Sequence, residues 1–147
     1  MNKHYLTWSD IDILVENLCK KIKKYNVPFE NILGVPRGGL IPAVMVSHNL
    51  GIPLVKHSIT PYTLVIDDIC DSGKTLEKLV NRYQTEFSFP LNLKSATLHY
   101  KPHTSVFEPT LWAKQWSSND WIIYPWERKD SKAVQDYKVK VGEINVK

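Results

Sequence analysis

The chain has 147 residues, of which 43% are hydrophobic, 11% aromatic and 23% charged, with a net charge of +4. That length buries the core of one domain, expected to run from 1 to 147, and the composition excludes a disordered or fibrous chain. No apolar stretch reaches the roughly 20 residues that cross a bilayer, two cysteines make neither a disulfide scaffold nor a zinc site, and the mild positive charge suits anions without arguing for nucleic acid.

The opening, Met1 to Tyr5, is polar and does not read as a signal peptide, so a cytoplasmic setting is expected, in keeping with free Cys19 and Cys70. Ile11, Leu14, Val15, Leu18, Cys19 and Ile22 then recur at helical spacing. They predict an amphipathic helix, with Thr7 or Ser9 as its cap and Asp10 and Asp12 at its positive end. Lys20, Lys21, Lys23 and Lys24 crowd its last turns, where cations suit the helix dipole. We read them as a solvated helix end rather than a nucleic-acid patch.

A short strand, Ile32 to Val35, leads into Pro36-Arg37-Gly38-Gly39 and a helix over 40–50 that Gly51 stops. Ile52 to Val55 and Thr63 to Asp67 read as the next two strands, the second fully apolar before its acid. A loop over 68–75 precedes a helix marked by Leu76, Leu79 and Val80. Ser95 to Tyr100 and Trp121 to Tyr124 complete the expected strands, and the polar tail after about 128 is expected to be loosely packed. Strands alternating with helices imply an α/β fold, a mostly parallel central sheet flanked by helices. In such sheets ligands bind beyond the carboxyl ends of the strands, so loops starting at Pro36, Asp68 and Lys101 should converge on one crevice.

The chemistry concentrates in Leu64-Val65-Ile66-Asp67-Asp68-Ile69-Cys70-Asp71-Ser72-Gly73-Lys74-Thr75. Backbone N–H groups of 71–75, with the Ser72 and Thr75 hydroxyls, form a phosphate cradle at a helix start, and Gly73 lets the backbone approach a ligand. Two adjacent acids at a strand end bind either ribose hydroxyls or a hydrated Mg2+. Gly73-Lys74-Thr75 is no P-loop, because the glycine required five positions earlier is Asp68. Upstream, Arg37 between a proline and two glycines puts a charge and free N–H groups at another helix start.

The 64–75 segment resembles the signature of type I phosphoribosyltransferases, enzymes that use 5-phosphoribosyl-1-pyrophosphate. The resemblance implies that 71–75, with Asp71, Ser72, Gly73, Lys74 and Thr75, holds the 5′-phosphate. It likewise implies that Asp67 and Asp68 meet the ribose hydroxyls and Mg2+, and that Asp71 serves as general acid/base beside the purine. Arg37, Gly38 and Gly39 are similar to the family's pyrophosphate loop, with Arg37 taking up charge on the leaving group. Trp121-Ile122-Ile123-Tyr124-Pro125-Trp126-Glu127 resembles the C-terminal stretch of the xanthine–guanine–hypoxanthine branch. There Trp121 would stack on the base, the backbone at Ile122 would read its 2-position, and Lys101 would donate to the exocyclic 6-oxygen. A lysine donor favours 6-oxo purines over adenine. Trp8, Trp112, Trp116 and Trp126 are assigned to packing.

These implications describe a Mg2+-dependent purine phosphoribosyltransferase of purine salvage. It would make a nucleoside monophosphate and pyrophosphate, bind neither nucleic acid nor membrane, and pair as a homodimer through aromatics after Phe107. The chain departs from the family in its mobile lid loop, shortened here to residues 56–62. The alternative reading is therefore a catalytically weak or inactive nucleotide-binding or regulatory protein on the same fold.

Overall fold

The computed structural model describes residues 2–87 and 92–127. In chain order the elements are β1 (Lys3–Tyr5), α1 (Trp8–Lys24), β2 (Asn31–Gly34), α2 (Leu40–Leu50), β3 (Leu54–Val55), β4 (Thr63–Cys70), α3 (Lys74–Glu86), β5 (Lys94–Tyr100), β6 (Leu111–Gln115) and β7 (Trp121–Ile123). Five strands form one parallel sheet in the order β3-β2-β4-β5-β6, while β1 and β7 pair in parallel as a separate ribbon. The α/β class and the parallel sheet flanked by helices agree with the sequence.

Local chemistry explains the helices. Thr7 caps α1 by accepting from the Asp10 N–H, and the Asp10 carboxylate accepts from the Thr7 N–H in return. This reciprocal box satisfies two of the donors that a helix start leaves open. Gly51 ends α2 in the left-handed conformation, φ 67°, that a glycine adopts without steric cost. Lys21, one of the four expected to be solvated, donates to the Trp112 carbonyl at 2.6 Å and so ties α1 to β6.

The pleat then distributes side chains to two cores. Ile32, Leu64, Ile66, Ala96 and Leu98 face the apolar stripe of α1 and Ala43 and Val46 of α2. Leu33 and Val65 pack with Leu76, Leu79 and Tyr83 of α3 on the other side.

Three expectations are corrected. The stretch from Trp121 is not a strand of the main sheet: β7 pairs with β1, Trp121 opposite Lys3 and Ile123 opposite Tyr5, and the fifth place belongs to β6. The strand expected to stop at Asp67 runs to Cys70, because β5 keeps pairing with it as far as Cys70 opposite Tyr100. Trp112 and Trp116, after Phe107, are half-buried rather than exposed: Trp112 packs on Tyr100 at 4.8 Å and Trp116 on His99 at 5.6 Å. The tail after about 128 lies outside the described residues. Among the described residues, no helix is long and apolar enough to cross a membrane.

Candidate functional site

The chain steps from β2 outward to β3 and then crosses back past β2 to β4, so the direction of winding reverses between β2 and β4. Loops leaving the carboxyl ends of such strands diverge and open a crevice. The turn 36–39 leaves β2, the turn 71–73 leaves β4 and the turn 101–107 leaves β5. These are the three loops that the sequence singles out, and they sit on neighbouring strands.

The first turn presses on the acids. A Cβ added to Gly38 would collide with the Asp68 carboxylate, and one added to Gly39 would lie 2.7 Å from the Ile66 carbonyl and 2.8 Å from Asp67 Cα. Two glycines are needed here because the loop backbone lies directly on β4. Arg37 is exposed at the start of α2, and its carbonyl accepts from the Leu40 N–H at 3.1 Å.

Asp67 and Asp68 are both buried, at 2% and 0% exposure. The Asp67 carboxylate accepts from the Asp68 N–H at 2.8 Å, and the Asp68 carboxylate from the Ile69 N–H at 2.8 Å. Burial, with Asp68 next in importance, pushes the Asp67 carboxyl well above the usual carboxylate range. Beneath them the Tyr124 hydroxyl donates to the Asp68 carbonyl at 3.2 Å and meets His99 Nδ1 at 2.8 Å. Neither Tyr124 nor His99 was singled out as a site residue from the sequence. A histidine inside a strand whose residues from Ser95 onward are all buried was the available signal, because a buried imidazole needs a partner.

The second turn is short. Asp71 and Ser72 are exposed, Gly73 is buried with φ 78°, and Lys74 and Thr75 already belong to the first turn of α3. No side chain caps α3 at Gly73, although the Ser72 hydroxyl accepts from the Lys74 N–H at 3.3 Å. A helix start of this kind presents N–H groups to an anion. Cys70 beside it is no nucleophile: burial pushes its thiol up to about 11.

The third turn folds back over the second. The Val106 N–H donates to the Ser72 carbonyl at 2.9 Å and the Lys101 N–H to the Cys70 carbonyl at 2.9 Å. Buried Lys101 reaches the Asp71 carboxylate at 3.4 Å and donates to the Asp120 carbonyl at 3.0 Å. That second bond brings the residue before Trp121 up to the end of β5. Trp121 is half-buried, with the Lys3 ammonium 5.8 Å from its ring centre, while the Ile122 side chain belongs to the core. Thr104, also missed from the sequence, donates to the Asp71 carboxylate at 2.8 Å. Trp126 stacks on Tyr124 at 4.8 Å and serves packing, as expected.

The Asp68 side chain lies under the Arg37-Gly38-Gly39 turn. Among the described residues, no group of three or more metal-ligating side chains exists. Paired carboxylates without a further cage fit Mg2+, which takes one or two protein carboxylates and completes its shell with substrate phosphates and water. The linker over 56–62, by contrast, leads away from the crevice. The Ser58 carbonyl accepts from Asn31 Nδ2 at 3.2 Å and the Tyr62 carbonyl from the Glu30 N–H at 2.9 Å, both at the amino end of the sheet.

No family model matches the chain. A protein named xanthine-guanine phosphoribosyltransferase from Cereibacter sphaeroides is 30% identical across an alignment of 127 positions, covering 69% of this chain and 71% of the relative. One of the same name from Gluconobacter oxydans is 24% identical, with 84% and 85% covered. Among solved structures, a purine phosphoribosyltransferase from Pyrococcus horikoshii aligns with a TM-score of 0.74 and 32% identity over 89% of this chain and 98% of that one. The Helicobacter pylori xanthine-guanine-hypoxanthine phosphoribosyltransferase gives the same TM-score of 0.74 over 94% and 99% of the two chains. At 20% identity it speaks for the fold alone.

Proposed function

The chain belongs to the type I phosphoribosyltransferase family, and on that premise we propose that it transfers the 5-phosphoribosyl group from 5-phosphoribosyl-1-pyrophosphate to a 6-oxo purine, as in salvage of xanthine, guanine or hypoxanthine. The observation that carries this reading is the buried Lys101 beside Asp71, at the mouth of the α3 anion cradle and bonded to the residue before Trp121. A cation and a carboxylate side by side suit a flat base with a carbonyl oxygen to accept a hydrogen bond and a ring N–H to give up a proton.

In this reading the 5′-phosphate rests on 71–75, with Ser72, Gly73, Lys74 and Thr75 supplying N–H groups, hydroxyls and charge. Arg37, Gly38 and Gly39 receive the pyrophosphate, where preorganised donors count most because charge develops there. Trp121 stacks on the base and the Ile122 backbone reads its 2-position. Mg2+, held by Asp68 with Asp67 beside it, would neutralise charge on the pyrophosphate. The Asp68 carboxylate lies against the Gly38 turn that would receive the pyrophosphate, so Asp68 is the ligand we assign first. Two copies of the chain pair in the cytoplasm, through apolar surface that includes Leu40, Val44 and Leu54, each 40% exposed or more.

The test is incubation with 5-phosphoribosyl-1-pyrophosphate, Mg2+ and each purine base, followed by chromatography for nucleotide. Nucleotide from 6-oxo purines and none from adenine is the expected result. A second reading, nucleotide binding with little turnover, is favoured by the 56–62 linker being pinned at the far end of the sheet. Water then has freer access to the ribosyl carbon. Base-independent release of pyrophosphate, compared with nucleotide formed, measures how far that reading holds.

A further inference from the structure

We propose that Thr104 is a positioning residue for Asp71, and that it decides which oxygen of that carboxylate receives the proton of the base; the proposal rests on the reading of Asp71 as the proton-handling group. In the free molecule Asp71 is held from the third turn by one residue on each oxygen. The Thr104 hydroxyl lies 2.8 Å from Oδ1 and 3.0 Å from the Asp71 carbonyl, and the Lys101 ammonium lies 3.4 Å from Oδ2.

The two holds differ in kind. Lys101 is on a long, flexible stem with three donors, and one of them already goes to the Asp120 carbonyl at 3.0 Å. Its contact with Oδ2 is long, so the ammonium is free to exchange Oδ2 for an exocyclic oxygen of an incoming base. Thr104 has a short β-branched side chain with few rotamers. Its backbone is set by the turn, since the Thr104 and Ser105 N–H groups donate to the Lys101 carbonyl at 3.3 and 3.1 Å and the Val106 N–H closes onto Ser72. The hydroxyl therefore stays with Oδ1 when the lysine leaves.

This matters because the Asp71 side chain is 51% exposed, so burial does little to fix its rotamer. With Oδ1 held, Oδ2 is the oxygen turned to the crevice. As the purine nitrogen bonds to the ribosyl C1, the C1–O bond to pyrophosphate breaks and its electron pair leaves with the pyrophosphate oxygen. The N–H proton of the base passes to Oδ2. Loss of the hydroxyl leaves substrate binding in place and lets the carboxylate turn away from the proton it must take.

The experiment compares Thr104→Val, which keeps shape and branching, with Thr104→Ser, which keeps the hydroxyl, each alone and on an Asp71→Asn background. Thr104→Val should lose about tenfold or more in kcat while KM for 5-phosphoribosyl-1-pyrophosphate stays within about twofold. Thr104→Ser should recover most of the rate, and Thr104→Val should cost nothing further once Asp71 is Asn. Thr104→Ala serves as a second deletion, and the exposed site leaves the melting temperature of all three unchanged. Undiminished kcat in Thr104→Val, equal loss in Thr104→Ser, or the same factor lost on the Asp71→Asn background overturns the proposal. Wild-type turnover by Asp71→Asn alone overturns the reading of Asp71 beneath it, and is seen without any change at 104.

Discussion

The two ends of the central sheet handle polar groups in opposite ways. At the amino end the groups close on one another: the Thr63 hydroxyl donates to Asn31 Oδ1 at 2.5 Å, the Thr60 hydroxyl to the Glu30 carboxylate at 3.1 Å, and the Thr60 N–H to the Thr63 hydroxyl at 2.8 Å. At the carboxyl end two carboxyl groups are buried side by side, a lysine lies 5% exposed at the mouth, and α3 begins without a side-chain cap. A satisfied polar network holds a fold together, whereas uncapped N–H groups and crowded acids cost stability and are maintained where a ligand meets them. The linker 56–62 leaves β3 at the carboxyl end and is tied to the amino end through Ser58 and Tyr62.

The sharpest way to break this contrast is at Asp68. Asp68→Asn should lower nucleotide formation by on the order of a thousandfold, and chelation of Mg2+ should do the same to the wild type, with circular dichroism unchanged. Unaltered turnover in the variant would remove Asp68 from the site.

Acid should separate the ends next. Burial first, then Lys114, His4 and Lys101, pulls the His99 imidazole down to about 4 from its ordinary 6.5. Between those values the unfolded chain takes a proton that the folded chain refuses. The His99 contribution to stability is therefore level above pH 6.5 and falls as pH drops toward 4, by about 3 kcal/mol. Denaturant titrations from pH 7 to 4 should show that loss in the wild type and a flatter profile in His99→Asn. The same slope in both would place the acid sensitivity elsewhere.

Lys101→Ala comes third. It should weaken 6-oxo purines by about 1–3 kcal/mol, the usual cost of orphaning a buried polar partner, and leave adenine binding as weak as before. Equal losses for guanine and adenine, read by calorimetry, would make Lys101 structural only. The smallest effect belongs to the amino end: Thr60→Val should cost about 1 kcal/mol of stability and leave kcat/KM alone. A drop in turnover there would mean that the two ends are coupled.

Much of this was open to a reader of the amino-acid string. The stripe in α1, the Thr7 cap, the Gly51 stop, the buried run from Leu64 and the three loops all rest on local chemistry that acts within a few residues. The short strands were harder. β1 has three residues, all exposed, and β6 is half-buried to exposed, so neither carries an alternation that distinguishes strand from loop. The extension of β4 to Cys70 was hidden for a related reason: consecutive acids look like a loop until a neighbouring strand pairs with their backbone.

What the sequence by itself determined is therefore the class of fold and the chemistry of the loops. Hydrophobic period and turn residues are short-range properties, and a phosphate-binding turn is written in contiguous residues. Only the tertiary structure decided which side chains share the crevice and what holds them. Thr104 meets Asp71 across 33 positions and Tyr124 meets Asp68 across 56. The sheet order creates those meetings. Because the order is set by the packing of α1 and α2 on one face and α3 on the other, no run of neighbouring residues carries it.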